Sequence, residues 1–301
     1  MLFFVGLLSG GGGAAPAAGG AERDDETVLP RASEPRTFKD AAELLTALEI
    51  ADRDIRTFAS EIRYTRLFEI QGDVQTRIGK LYFKTDPPRE TSAAANDSGM
   101  VPARRRWVAV RFTEMIVGGR RDKQEQVWVF DGEWLVEKNP TERQFIKRRM
   151  VRSGETYDPL RVGEGPFFVP VGQKREDMEV YFTAELREVS DGLSDAYDES
   201  RDAMLRALGR NLEGTVQLML TPKPGLRQVQ DFALIRVWYD ARTLLPRASM
   251  SIDPLGDIDV FELFRVDVNE TREKIGADVF SVETPGAGEG YHVEVMDETR
   301  R

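Results

Sequence analysis

The side chains best suited to chemistry are scarce in this 301-residue chain, and their scarcity is informative. There is no cysteine and one histidine, His292. That removes disulfides, thiolate ligands and a cysteine nucleophile, and leaves no histidine-based triad or multi-histidine metal site. Asp257 and Asp259 alternate along a strand-like run and so face one side, as a general acid/base pair does; a charged solvent face accounts for the same spacing. Asp191, Asp195, Asp198, Glu199 and Asp202 are calcium-type ligands by residue type but lack the loop spacing of an EF-hand. The glycine run Gly10 to Gly13 is not a phosphate loop, because no strand precedes it and no Gly-Lys-Ser/Thr follows. The expectation is a non-enzyme with no cofactor and no metal.

What the chain does offer is apolar surface on strands. Leu81, Phe83, Trp107, Trp128, Phe130, Trp134, Phe167, Phe168 and Phe261 are candidate lining residues of an apolar, lipid-binding cavity, with ordinary sheet core as the alternative for each. Lys84 and Arg106 stand beside this set as candidate contacts to a head group or partner, with a solvated surface as the alternative.

Composition sets the frame. Hydrophobic residues at 41% and charged residues at 31% match a soluble globular chain. The net charge of −10 argues against nucleic acid as a partner, since phosphate neutralisation needs a basic face. Met1 to Leu8 is an apolar run followed by Ala14-Ala15-Pro16-Ala17-Ala18, which reads as the h-region and small-residue cleavage site of a secretory signal over residues 1–20. No Lys or Arg precedes the run, so the start site is open to question and a Gly/Ala tail is the alternative. The run is too short to span a bilayer, which takes about 20 apolar residues. Export would make the protein periplasmic.

Residues 21–36 are charged, Pro-punctuated linker. A helix follows, with Thr37 as its expected cap and an apolar stripe of Ala41, Leu44, Leu45, Leu48, Ala51, Ile55 and Phe58 at helical spacing. From about Ala59 the period drops to two. Strand-like runs then succeed one another, separated by Gln71-Gly72-Asp73, Gly118-Gly119, Asp131-Gly132 and Asn139-Pro140-Thr141-Glu142 at hairpin spacing. Residues 86–105, with three prolines and Arg104-Arg105-Arg106 at the end, interrupt the pattern as an exposed insertion. The middle differs in character. Gly165-Pro166-Phe167-Phe168 is apolar and proline-bounded, and helical patterns run over 175–189 and 198–212, so a helical cover is expected over about 165–212. Strands resume at Val216 to Leu220, Phe232 to Tyr239, Leu244 to Ile252 and Asp257 to Asn269, and the tail from Phe280 to Val295 ends in short edge strands.

This order of elements resembles the LolA family of periplasmic lipoprotein carriers over residues 37–297. The resemblance is carried by the first helix, Gly79-Lys80-Leu81-Tyr82-Phe83, Trp107, Asp131-Gly132-Glu133-Trp134, Gly165-Pro166-Phe167-Phe168, Leu220-Thr221-Pro222-Lys223 and Val279-Phe280 before Pro285-Gly286. It implies an α+β fold: an incomplete antiparallel β-barrel of about 11 strands covered by helices over an apolar cavity. It also implies acyl chains of lipoproteins, or other lipids, as cargo shuttled toward the outer membrane. The implied partners are an inner-membrane release complex and an outer-membrane receptor. The chain departs from the family at Lys84-Thr85-Asp86 and in the added lengths of the insertion and the middle. These departures leave open a sensing or protein-interaction module on the same fold.

Overall fold

A computed structural model describes residues 34–86, 105–151, 175–194, 199–269 and 275–297. The expected signal, most of the linker, the bulk of the 86–105 insertion, and Phe167 and Phe168 lie outside these described residues.

The first element is α1 (Ala41–Asp52), built from strong helix formers. Its cap is Asp40 rather than the expected Thr37: the Asp40 carboxylate accepts from the Glu43 N–H at 2.9 Å. The helix therefore starts one turn later than the capping-box spacing predicts. Its stripe buries Ala41, Leu44, Leu45 and Leu48, while Ile55 and Phe58, beyond its end, are buried as the chain enters the sheet.

Two meanders follow. The first comprises β1 (Thr57–Phe68), β2 (Asp73–Thr85), β3 (Arg106–Val117), β4 (Arg120–Phe130), β5 (Trp134–Asn139) and β6 (Gln144–Arg149). Glycine supplies the positive φ its turns require at Gly72, Gly118, Gly119 and Gly132. At the last of these, Asp131 also accepts from the Glu133 and Trp134 N–H groups. The second meander is β7 (Phe182–Arg187), β8 (Thr215–Pro222), β9 (Leu234–Asp240), β10 (Pro246–Ile252) and β11 (Ile258–Val268). Antiparallel pairing of β1 with β11 joins the two, and β12 (His292–Asp297) adds to the free side of β6 in parallel. The result is one open, 12-stranded sheet in the order β12-β6-β5-β4-β3-β2-β1-β11-β10-β9-β8-β7. It is an incomplete α+β barrel with three α-helices among the described residues, close to the expected one of about 11 strands.

The middle of the chain differs from the helical pattern read over 175–189. Only α2 (Arg175–Tyr181) is helical there, and the chain turns directly into β7, where Phe182, Ala184 and Leu186 face inward and Thr183, Glu185 and Arg187 outward. Period-two burial in the last six residues outweighs the helical spacing of the first seven. The second helix, α3 (Glu199–Gly209), falls inside the expected range.

Both faces of the sheet are covered, by different means. On the concave face α1 and Met178 of α2 pack on Phe58, Ile62, Leu81, Phe83, Val108 and Phe130, with Leu218, Leu220, Ile235 and Val237 from the other meander in the same cluster. On the convex face of β9–β11, α3 brings Leu205 and Leu208 against Trp238, Met250 and Val260. On the convex face of the first meander a strap from Ile275 to Tyr291 lies over Tyr82, Ala109, Val129, Val136 and Phe145 and inserts Phe280. Arg111 donates from Nη2 to the strap carbonyls of Asp278 and Val279 at 2.8 and 3.2 Å, and Lys147 donates to the Val282 carbonyl at 2.9 Å.

Polar groups fix the connections. Gln217 Nε2 donates to the carbonyls of Glu188, Val189 and Asp191, and Trp238 Nε1 donates to Val189, so the segment leading to α3 is tied down by buried side chains. Asn269, at φ 63°, accepts the Arg56 N–H and donates to the Asp54 carbonyl, pinning the end of β11 to the α1–β1 connection. Register shifts between Ile78 and Gly79 and between Phe112 and Glu114 break the β2–β3 and β3–β4 ladders at one level of the sheet, with the extra residue on β3 in the first and on β4 in the second. A strand bends at such a bulge, which helps to curl the sheet over α1. At Gly79 a Cβ would collide with the backbone of Arg111 and Phe112. Gly79→Ala is therefore expected to cost about 1–3 kcal/mol of stability, read as a lower midpoint in urea unfolding at unchanged slope.

Candidate ligand-binding face

The concave face changes character along the strands. Beneath α1 and α2 its floor is apolar, and four of the predicted lining residues sit there nearly closed to solvent: Leu81 at 1% exposure, Phe83 at 4%, Phe130 at 0% and Phe261 at 5%. One step outward the floor becomes an aromatic cluster. The Tyr64 and Phe261 rings stack at 4.5 Å, Tyr64 lies 6.1 Å from Phe112, and Trp128 meets Phe112 edge-on at 5.3 Å. Trp128, a fifth predicted lining residue, is half-buried against the same cluster.

Trp107 and Trp134 do not join them. Trp107 alternates with Val108 and turns to the convex face, where it packs with the group under the strap. Trp134 alternates with Leu135 and shares the face of Val136. Each convex tryptophan carries cations: Lys84 Nζ at 5.7 Å and Arg105 at 5.2 Å from the Trp107 ring, and Lys147 Nζ at 4.8 Å from Trp134. Lys84, exposed, is the cross-strand neighbour of Trp107, and Arg106, half-buried, opens β3 opposite Thr85. Lys84 thus stands on the convex side with Trp107, whereas Arg106 alternates with Trp107 and takes the side of Val108, at one end of the concave face. Phe167 and Phe168 lie outside the described residues.

Farther out, the floor is charged. Tyr64 Oη donates to Asp259 Oδ1 at 2.6 Å, and Arg66 bonds Asp257 at 3.2 Å and lies 3.8 Å from Asp259. Asp257 also accepts the Glu69 N–H at 2.9 Å. The two carboxylates do share a side, as their spacing predicts, but Asp259 is part-buried rather than solvated. Burial pushes the Asp259 carboxyl above the usual carboxylate range, while the Glu69 N–H and Arg66 hold Asp257 below it. Burial, with Asp259 beside it, pushes the Tyr64 phenol well above its ordinary value, so it stays a donor throughout the neutral range. Every charge here is engaged within the network, which serves to hold the aromatic cluster in place. His292 sits exposed on β12, away from it.

The last stretch of the concave face escaped sequence reasoning. Arg77, Gln124, Gln126, Glu137, Asn139 and Gln144 line a pocket of about 230 Å³ beyond the aromatic cluster. The signal was present: counting back by two from Phe130 and Trp128 reaches Gln126 and Gln124 on the same face of β4. No helix among the described residues is long and apolar enough to cross a membrane, and no group of three or more potential metal ligands occurs among them.

No protein-family model matches the sequence, and no curated protein matches it. Among solved structures, the chain is similar to a LolA superfamily protein from Nitrosomonas europaea: 10% identity, 80% of this chain against 97% of that one, TM-score 0.32. A DUF1329 family protein from Desulfovibrio piger gives 14% identity over 80% and 96% of the two chains, with a TM-score of 0.34. The MucA/MucB complex of Pseudomonas aeruginosa gives 16% identity and a TM-score of 0.34, with 81% of this chain matched to 61% of that one. These likenesses concern the fold, and what those proteins bind is not transferred from them.

The Asp259 environment yields a test. Its folded pKa is raised, so the wild type carries no penalty at acid pH, where the carboxyl is protonated in both states, and loses stability as pH rises through the folded value. Asp259→Asn, which still accepts from Tyr64, is expected to be more stable than wild type at pH 7, with the gain vanishing toward acid pH. Urea unfolding at a series of pH values checks this.

Proposed function

We propose that this protein is a non-catalytic carrier that holds the acyl chain of a lipoprotein or other lipid against its concave floor, in the periplasm. One observation carries the reading: a single apolar floor spans both meanders, and the helices laid over it, α1 and α2, have only 12 and 7 residues. The cover is light enough to exchange for a lipid tail. Ala41, Leu44, Leu45 and Leu48 of α1 together bury apolar surface worth about 8 kcal/mol. An acyl chain of about sixteen carbons, at about 0.8 kcal/mol per methylene, gains roughly 12 kcal/mol on leaving water. The two are close enough that a tail can displace the helix and the helix can return when the tail is handed on. The apolar N-terminal run supports export and so a periplasmic setting. Delivery from an inner-membrane release complex to an outer-membrane receptor belongs to the same reading. So does a role for Lys84 and Arg106 in head-group or partner contact at that end of the sheet.

A second reading, a sensing or protein-interaction module, is favoured by the free edge of the sheet. Among the described residues no strand pairs with the outer side of β12, and Val293 and Val295 are 38% and 55% exposed.

Protein purified without detergent is expected to carry extractable acyl chains by mass spectrometry, or to bind a fluorescent fatty-acid probe at micromolar concentration. Protein free of lipid and indifferent to the probe would sink the carrier reading and leave the interaction module. A variant tests the exchange itself. Leu48→Ala weakens the cover by about 2–5 kcal/mol, so it is expected to tighten probe binding at least about fivefold while lowering the melting temperature. If α1 is fixed core, the melting temperature falls and probe affinity does not rise.

A further inference from the structure

Resting on the carrier reading, we infer that the pocket at the outer end of the concave face is a head-group site for a neutral, hydroxyl-rich group, a sugar, carried on the same amphiphile. The pocket of about 230 Å³ takes a group the size of one sugar ring. It continues the floor directly, because Trp128 and Glu137 are cross-strand neighbours and Arg77 lies over the Tyr64 ring at 5.9 Å.

Its lining selects the chemistry. Gln124, Gln126, Asn139 and Gln144 are primary amides, each offering donors and an acceptor in one plane. A hydroxyl is also both donor and acceptor, so rows of amides match rows of hydroxyls. Gln124 Oε1 is buried and has no hydrogen-bond partner among the described residues, so a turn of this amide toward the pocket to meet a ligand's donor costs no existing bond. A phosphate dianion brings acceptors only, and here it would face the Glu137 and Glu142 carboxylates as well. A cationic head group is opposed by Arg77, whose guanidinium has no carboxylate partner among the described residues. The lining's two carboxylates, Glu137 and Glu142, are balanced by its two cations, Arg77 and Lys138, and Glu137 is already paired with Arg148, so the lining supplies no surplus negative charge to hold a cation. What fits the whole set is a neutral ligand whose oxygens accept from Arg77 and the amide NH₂ groups and whose hydroxyls donate to the amide oxygens.

The test compares three amphiphiles with one tail, octyl glucoside, octyl phosphate and octanol, each below its aggregation concentration, by isothermal titration calorimetry on the full chain. Octyl glucoside is expected to bind at least about fivefold tighter than octyl phosphate, corresponding to about one net hydrogen bond. Gln124→Leu and Gln126→Leu are each expected to remove that preference while octanol binding is unchanged, which a merely destabilised fold would not do. Methyl glucoside as competitor separates the two sources of the sugar: competition marks a site that also takes free saccharide, and its absence one that needs the tail, both with the glucoside preference intact. Equal binding of glucoside and phosphate, a preference for phosphate, or Leu variants that keep the glucoside preference would overturn the head-group site alone. Failure of all three tails to bind would overturn the carrier reading and this inference with it.

Discussion

The pairing of β1 with β11 is the constraint on which the rest of the molecule depends. These strands are brought together across nearly the whole chain, as the Arg63–Glu262 contact at a separation of 199 residues shows. Without that ladder there are two independent meanders, each with one bare apolar face. With it, their concave faces become one floor, so that one helix can contact both and a ligand can lie across the seam. Side chains reinforce the ladder on each side. Arg63 reaches Glu262 with Nε at 2.7 Å, Glu262 also accepts from Asn211 just beyond α3, and on the concave side Tyr64 reaches Asp259. Pairing at such separation carries a large loop-closure cost before any contact rewards it, so the seam is expected to form late in folding.

The gradient along the concave face follows from what covers it. Where α1 and α2 sit, the floor must be apolar, because a buried polar side chain without a partner is costly. Where the described cover ends, the floor meets water and can afford Arg77, glutamines and ion pairs. The aromatic cluster marks the boundary, and its position coincides with the register shifts beside Phe112, where strands bend. Cover, curvature and polarity are thus one arrangement seen three ways.

Much of this was legible in the sequence, for physical reasons that also explain where it was not. The hairpins announce themselves because their turns need positive φ, and Gly72, Gly118, Gly119 and Gly132 supply it. The α1 stripe is legible because burial on a helix repeats at its period. By contrast, β7 is short and follows α2 without a break, so its alternation is masked by the helical spacing before it. The candidate site was half legible. Strand alternation separates Phe83 from Lys84 and Trp128 from Val129, but nothing local says that Trp107 faces the strap and Phe112 the floor, since that depends on which distant segment covers which side. Gln124 and Gln126 were overlooked because polar residues near a hairpin look like ordinary surface until the curvature of the sheet turns them inward.

The strap and β12 have a consequence for biogenesis. Every other strand is synthesised before them, and the convex apolar patch of Tyr82, Val129, Val136 and Phe145 waits for Phe280 to arrive, as the edge of β6 waits for β12. During synthesis the nearly finished sheet therefore presents a greasy convex surface and an unpaired edge together, the combination most prone to intermolecular association. Arrival of the strap closes the convex patch, while β12 replaces the edge of β6 with an edge of its own.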